Sequence, residues 1–332
     1  MRRNGQAYIS VSERDATAAL PRAAAEAAFD IRGALKEAMA RLRGAGVPSH
    51  TLAAELLLMH ALGRDRTWLY SHPESALDRG EAEKYFALVA RRTVGEPLQY
   101  LTGKQEFWGL EFEVTPAALI PRPETEHVVE VALDRLGSRG IKIRLDTGEP
   151  SPRLRIADVG TGSGCLAVAL AWELPHADIF ATDISADVLA LARRNAARHG
   201  VSDRVHFLQT SLLEALLPQL LVSSRGSASF DLIVSNPPYV AREQAPSLAR
   251  EVRDYEPAAA LFGGATGTEI YGPLIEEAGA LLRPGGILVL ELGYDSANRV
   301  RAILSADPRW TNISLTNDLA GIPRVISAIM SS

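Results

Sequence analysis

A single cysteine, Cys165, among 332 residues excludes a disulfide scaffold and a cysteine-rich zinc site, and it suits a reducing compartment. The seven histidines are scattered without metal-ligand spacing. Basic residues are not in excess: 35 Lys and Arg against 40 Asp and Glu leave a net charge of −5, so there is no global positive field to gather nucleic acid. No apolar run reaches the roughly 20 residues of a membrane span. The start, Met1-Arg2-Arg3-Asn4-Gly5-Gln6, lacks the apolar stretch of a signal peptide. These absences read as a cytoplasmic chain without membrane contact. What remains is 47% hydrophobic, enough for one large or two ordinary cores, and the pattern along the chain favours two.

Residues 1–30 mix Arg, Ser, Glu and an Ala-rich stretch without an apolar stripe and read as an extension. From Ile31 the pattern is helical: Leu35, Met39 and Leu42 share a face, Gly44-Ala45-Gly46 ends the run, and Leu52, Leu56, Met59 and His60 begin another. With a further helix over roughly 80–95, these form a small helical domain at 31–95. It has a core but no chemistry, which suits substrate recognition. His60 reads as a packing residue. Residues 96–118 read as a linker, strand-like from 98, with a hairpin over Phe107 to Val114. The prolines of Leu119-Ile120-Pro121-Arg122-Pro123-Glu124-Thr125-Glu126 precede a helix from Thr125. They open a second domain, 119–332, in which 137–153 and 221–229 read as surface loops. Strands at 154–159, 178–183, 204–208, 230–235 and 286–292 alternate with helices at 164–174, 186–199 and 269–282. This predicts a doubly wound parallel sheet, closed by an antiparallel pair near 311–316 and 323–329.

Two strand ends carry the chemistry. Gly160-Thr161-Gly162-Ser163-Gly164 follows the first strand and opens a helix; alternate glycines let the backbone turn tightly against a ligand, and the helix start attracts an anionic group. A dinucleotide loop needs Gly-x-Gly-x-x-Gly, and the sixth position here is Cys165. Asp183 ends the next strand, where a carboxylate can accept from both hydroxyls of a ribose. The apolar strand Asp231-Leu-Ile-Val-Ser runs into Asn236-Pro237-Pro238-Tyr239. Its prolines remove two backbone donors, so the turn presents acceptors: Asn236 Oδ1 and nearby carbonyls. Such a turn suits a planar NH2 group, with each acceptor taking one N–H and the ring face of Tyr239, not its hydroxyl, lying against the plane.

The Gly-x-Gly-x-Gly loop resembles that of the Rossmann-like S-adenosylmethionine methyltransferases. With Glu96-Pro97-Leu98-Gln99-Tyr100-Leu101-Thr102-Gly103, Glu106-Phe107-Trp108-Gly109, Ile120 to Glu126, Glu256-Pro257, Ala260-Leu261 and Asp318-Leu319-Ala320-Gly321, the chain from Ile31 to Ile329 resembles the glutamine-N5 methyltransferases of peptide chain release factors, the PrmC/HemK family. It departs in its N-terminal extension, in Ala53 where that family often has Asp, in Ser211 where methyltransferases often place an acid, and in longer loops. The resemblance implies a doubly wound α/β methyltransferase with a small N-terminal helical domain, using S-adenosylmethionine. Gly160, Thr161, Gly162, Ser163, Gly164, Asp183, Leu212 and Asn236 would hold the cofactor, with Leu212 at the adenine. Asn236, Pro237, Pro238 and Tyr239 would hold and methylate the side-chain amide of the Gly-Gly-Gln glutamine of class I release factors, an act on translation termination that needs no stable nucleic acid and no metal. Two rivals stay open. A nucleic-acid amino-methyltransferase would use the same turn on an exocyclic NH2, against the charge balance; a non-enzymatic scaffold would not need Asn236 or the intact glycine loop.

Overall fold

A computed structural model describes residues 29–138, 153–217 and 229–331. The expected extension at 1–30 and the loops at 137–153 and 221–229 lie wholly or mainly outside these residues. The chain divides into two compact units between Thr102 and Gly103.

The first unit is helical: α1 (Ile31–Gly44), α2 (His50–Leu62), α3 (Arg66–Ser71), α4 (Arg79–Thr93) and α5 (Leu98–Thr102). Asp30 caps α1 by accepting from Gly33 N at 2.7 Å, and Asp78 with Glu81 forms a capping box on α4, so both helices start where side chains satisfy their free N–H groups. Ala34, Ala38 and Leu42 pack with Ala54, Leu57 and Leu58 and with Tyr85, Phe86 and Val89. The buried face of α2 is therefore not the expected one: Leu52 and His60 are exposed and Leu56 and Met59 only half-buried. Residues 98–102, expected as strand, form α5 and carry Leu101 into the helical core.

The second unit begins with the hairpin β1 (Lys104–Phe107) and β2 (Leu110–Glu113). Trp108 and Gly109 both have positive φ, the two-residue turn whose twist matches a hairpin. Phe107 and Phe112 are buried in the core of this unit, so the hairpin is part of its body rather than a linker. A 3-10 turn at Pro123–Thr125 leads into α6 (Glu126–Gly137). Then follow β3 (Arg155–Val159), α7 (Cys165–Glu173), β4 (Asp178–Asp183), α8 (Ala186–Arg198), β5 (Val205–Gln209) and β6 (Phe230–Ser235). The short pair β7 (Val240–Ala241) and β8 (Phe262–Gly264) precedes helix Tyr271–Leu281, β9 (Leu282–Glu291), helix Ala297–Ala306, β10 (Trp310–Asn317) and β11 (Pro323–Met330).

Seven strands form one sheet in the order β10-β11-β9-β6-β3-β4-β5. β5, β4, β3, β6 and β9 pair in parallel, and β11 runs antiparallel to both β9 and β10. Alternation along each strand feeds two cores: Ile156, Leu232 and Ile287 point to one, and Ala157, Ile233 and Leu288 to the other. Helices therefore cover both faces, and β6 is buried throughout. The chain leaves β3 toward β4 and β5 on one side and returns to β6 on the other. The crevice beyond the carboxyl ends of β3 and β6 is the topological switch point where such sheets bind ligands. Among the described residues no helix is long and apolar enough to cross a membrane.

Candidate active site

The loop after β3 holds Gly160 at φ +70° and Gly162 at φ +57°, left-handed conformations that strain any residue with a Cβ. Among the described residues, a Cβ built on either would meet no atom within 4 Å, so both glycines border open space there. The loop is fixed from below. Thr161 N donates to Thr182 O at 2.8 Å, tying it to β4, and Thr161 Oγ1 donates to Asp158 Oδ2 at 2.6 Å. Ala167 N donates to the same oxygen at 3.1 Å. Asp158 is fully buried, its Oδ1 has no hydrogen-bond partner among the described residues, and burial pushes its carboxyl up to about 7. Asn195 on α8 donates to Ser163 O at 2.8 Å and Glu113 O at 3.0 Å and accepts from Glu113 N at 2.8 Å, joining the loop to the hairpin.

Asp183 ends β4 with its carboxylate across the loop. Oδ2 accepts from Gly162 N at 3.2 Å and Oδ1 from Ser185 N at 3.0 Å, and each oxygen keeps a second lone pair. Burial raises its pKa while the backbone donors oppose the shift. Ile184 beside it is an exposed apolar side chain. Leu212, at φ +45°, packs half-buried beyond β5, where Leu213 N donates to Glu277 Oε2 at 2.8 Å.

Asn236 leaves β6 where Ser235 Oγ donates to Val159 O at 2.7 Å, locking the two strand ends together. Its Nδ2 donates to the buried Thr125 Oγ1 at 3.0 Å. Pro237 is buried, and Pro238 and Tyr239 are half-buried. Strand β8 presses on the turn through glycine: a Cβ at Gly263 would lie 2.2 Å from Pro238 O. The Tyr239 ring lies over Gly293, whose missing Cβ would stand 2.9 Å from Tyr239 Cδ2. The Tyr239 hydroxyl donates to Glu291 Oε1 at 3.2 Å, and burial pushes the phenol well above its usual range. Nearby, Arg122 pairs with the buried Glu256 at 2.5 Å, and Ile120 N donates to the same carboxylate at 3.4 Å. Burial raises Glu256 and Arg122 works against it. This pair clamps the Ile120-Pro121-Arg122 segment that leads to Thr125.

Gly160, Gly162, Asp183 and Asn236 thus stand along one edge of the sheet, at the carboxyl ends of β3, β4 and β6. Thr161 and Ser163 are buried and Gly164 packs against Ala192 of α8, so these three contribute backbone and loop shape rather than exposed side chains. Sequence reasoning did not single out Glu291, which ends the run Ile-Leu-Val-Leu-Glu of β9. A lone carboxylate closing an apolar parallel strand is the same signal that marks Asp183, and it was there to be read.

The residues fit S-adenosylmethionine: open space over Gly160 and Gly162 for its methionine part and the Asp183 carboxylate for ribose hydroxyls. Residues 150–319 match the methyltransferase domain family. The hMettl16 catalytic domain, solved with a MAT2A 3'UTR hairpin, shares the fold at 18% identity and a TM-score of 0.50, over 74% of this chain and 81% of that one. The protein is an S-adenosylmethionine-dependent methyltransferase.

Residues 33–103 match the PrmC N-terminal domain. The release factor glutamine methyltransferase of Koribacter versatilis is 43% identical over 89% of this chain and 97% of its own length. That of Moorella thermoacetica is 41% identical over 90% and 98%. The chain belongs to the release factor glutamine methyltransferase family.

Proposed function

We propose that the protein transfers a methyl group from S-adenosylmethionine to the side-chain amide nitrogen (N5) of the glutamine in the Gly-Gly-Gln segment of class I peptide chain release factors, and so modulates translation termination. The observation that carries this reading is the orientation of Asn236. With Nδ2 given to Thr125, Oδ1 is left as an acceptor at the mouth of the site. An amide is a weak nucleophile because its lone pair is delocalised into its carbonyl. Asn236 Oδ1 and the Pro237 carbonyl draw on its two hydrogens and hold the nitrogen in line, which is worth more to this acceptor than a strong base. The ring of Tyr239, seated on Gly293, lies against the amide plane. Pro237 and Pro238 have no N–H to compete for those acceptors.

S-adenosylmethionine supplies an electrophilic methyl on a cationic sulfur. Gly160 to Gly164 and Asp183 would hold it, with Leu212 toward the adenine. Once methylated, the acceptor nitrogen is cationic and acidic, so its proton leaves without a side-chain base at the turn. The helical unit, which has a core and, among its described residues, no catalytic cluster, recognises the body of the protein substrate in the cytoplasm.

The test is methyl incorporation into purified release factor, with DNA and RNA alongside, for wild type and Asn236→Ala. The glutamine of release factor is expected to be the acceptor. The variant should lose on the order of 100-fold in kcat with little change in cofactor affinity. Incorporation into nucleic acid instead would overturn the substrate, and a near-normal kcat for Asn236→Ala would overturn the clamp.

A further inference from the structure

The segment Asp318-Leu319-Ala320-Gly321 and the turn after β9 take no part in the methyl transfer proposed above, yet both leave the sheet at the end that carries the site. β9 runs parallel to β6, so their carboxyl ends stand together, and Val325 pairs with Glu291, which brings the turn between β10 and β11 to the same edge. Both turns are tied to the Asn236 turn. The Tyr239 ring lies over Gly293, Leu292 N donates to Arg324 O at 2.7 Å, and Arg324 Nε donates to Asp318 Oδ2 at 2.9 Å. Each is also pinned by a polar side chain and holds one large apolar side chain out to solvent. In the turn after β9, the N and Oγ of the buried Ser296 donate to Gly293 O at 3.1 and 2.9 Å, and Tyr294 between them is 68% exposed. In the other, Asp318 Oδ1 accepts from Ala320 N and Ile322 N, both at 2.9 Å, Asp318 O accepts from Gly321 N at 2.9 Å, and Asp318 N donates to Ile322 O at 2.8 Å. Gly321 supplies the positive φ that this turn needs, and Leu319 within it is fully exposed.

A single exposed leucine is ordinary on a protein surface. A leucine and a tyrosine held out by two hydrogen-bonded turns are a different matter, because a backbone already fixed spares the ordering cost that a loose loop incurs on binding. We infer that Leu319 and Tyr294 form a docking surface for the protein substrate: they seat against an apolar hollow of the release factor beside the segment that carries the acceptor glutamine. The inference rests on the release-factor reading above. The occupant follows from position. The loop Gly160 to Gly164 and Asp183 stand at the ends of β3 and β4, on one side of β6, whereas both docking turns stand on the other, at β9 and β11. In-line transfer sets the acceptor nitrogen on the far side of the methyl from the sulfur, so a polypeptide that brings its amide to Asn236 approaches from the side away from the cofactor. That side is the one on which Tyr294 and Leu319 project, and the surface is continuous with the Asn236 turn through Gly293 and Arg324. Apolar and aromatic anchors of this kind carry most of the affinity of a protein interface.

The experiment measures steady-state methylation of intact release factor by the full chain as wild type, Leu319→Met, Leu319→Ala, Leu319→Asp and Tyr294→Ser. Calorimetry with S-adenosylmethionine, thermal unfolding and sedimentation accompany each protein. Leu319→Ala and Tyr294→Ser should each raise KM for release factor about 10-fold, and Leu319→Asp, which brings a charge into an apolar contact, on the order of 100-fold. Leu319→Met keeps an apolar side chain of similar volume and should stay near wild type. Turnover at saturation, cofactor affinity and the unfolding midpoint should stay at wild-type values, because both side chains are exposed and the contact is with the ground state and transition state alike. An unchanged KM in Leu319→Asp, or a loss of kcat or cofactor affinity with KM unchanged, would overturn the inference. So would a wild type that sediments as a dimer and becomes monomeric in Leu319→Asp, which would assign the surface to a second copy of the chain. A wild type that binds cofactor but transfers no methyl to release factor overturns the functional reading and this inference with it, whereas normal transfer by wild type and variants alike removes the docking surface only.

Discussion

Gly263→Ala isolates the geometry of the Asn236 turn from its proposed chemistry. Gly263 has no left-handed φ to lose, so the added methyl acts by contact alone. Its Cβ would stand 2.2 Å from Pro238 O and 2.8 Å from Gly267 O, with backbone on both sides and no flexible side chain to yield. To reach an ordinary contact the Pro238 carbonyl must retreat by roughly 1 Å, and misplacement of that size costs on the order of 100-fold in rate, about 2.7 kcal/mol in the barrier. The glycine loop and Asp183 belong to other strand ends, so cofactor affinity should stay within a few-fold. Overpacking should lower stability by about 1–3 kcal/mol, visible in denaturant unfolding without loss of the fold. Single-turnover methyl transfer, calorimetry with S-adenosylmethionine and an unfolding curve on one preparation separate these effects. A folded Gly263→Ala protein with wild-type turnover would refute the reasoning, because the turn could then move by an ångström without consequence.

The cofactor loop is tested by Gly162→Val, which puts a branched side chain at φ +57° into the open space and should abolish S-adenosylmethionine binding in calorimetry while the protein still unfolds cooperatively. Asp183→Ala should weaken the same binding by about 1–3 kcal/mol, and an unchanged affinity would remove Asp183 from the site. Tyr239→Phe keeps the ring on Gly293 and loses only the hydroxyl that donates to Glu291, so turnover should fall modestly. Tyr239→Ala, which loses the ring face as well, should be much more damaging; equal effects of the two would place the whole role of Tyr239 in its hydroxyl.

The parallel strands are legible in the sequence because buried parallel strands are continuous apolar runs, so that 178–183 and 230–235 coincide with β4 and β6. The glycine loop and Asn236 turn are legible for a related reason: polar and conformationally special residues stand out where such runs stop. The buried face of α2 was not legible. His50–Leu62 is apolar nearly all round, and choosing Leu52 and Met59 over Ala54 and Leu57 needs the neighbouring helices that supply the contacts. Leu98–Thr102 is too short for helical periodicity to show against an aromatic residue that favours strand. β7 and β8 are two and three residues long and exist because glycine lets them approach the turn. Helix Ala297–Ala306 was missed although Ala297, Val300 and Leu304 recur on one face. The hydrogen bond from Asn236 to Thr125 joins residues 111 positions apart, a separation that only the fold brings together.

The place of β11 bears on how this chain assembles. It follows β10 in sequence yet lies between β10 and β9, so β10 can join the sheet only with or after β11. Until that hairpin docks, β9 has an open edge along Ile287 to Glu291, a row of unpaired N–H and C=O groups flanked by apolar side chains and therefore a template for pairing with another chain. Glu291 is its charged end. In the incomplete sheet that carboxylate interrupts the apolar run as a guard against such pairing; it passes into the interior as Val325 arrives opposite it, with Arg324 from the same incoming strand beside it. Docking of this hairpin is thus the step at which a residue that discourages aggregation becomes part of the buried core, and destabilising β10 or β11 would lengthen the exposure of a sticky edge before it altered the finished enzyme.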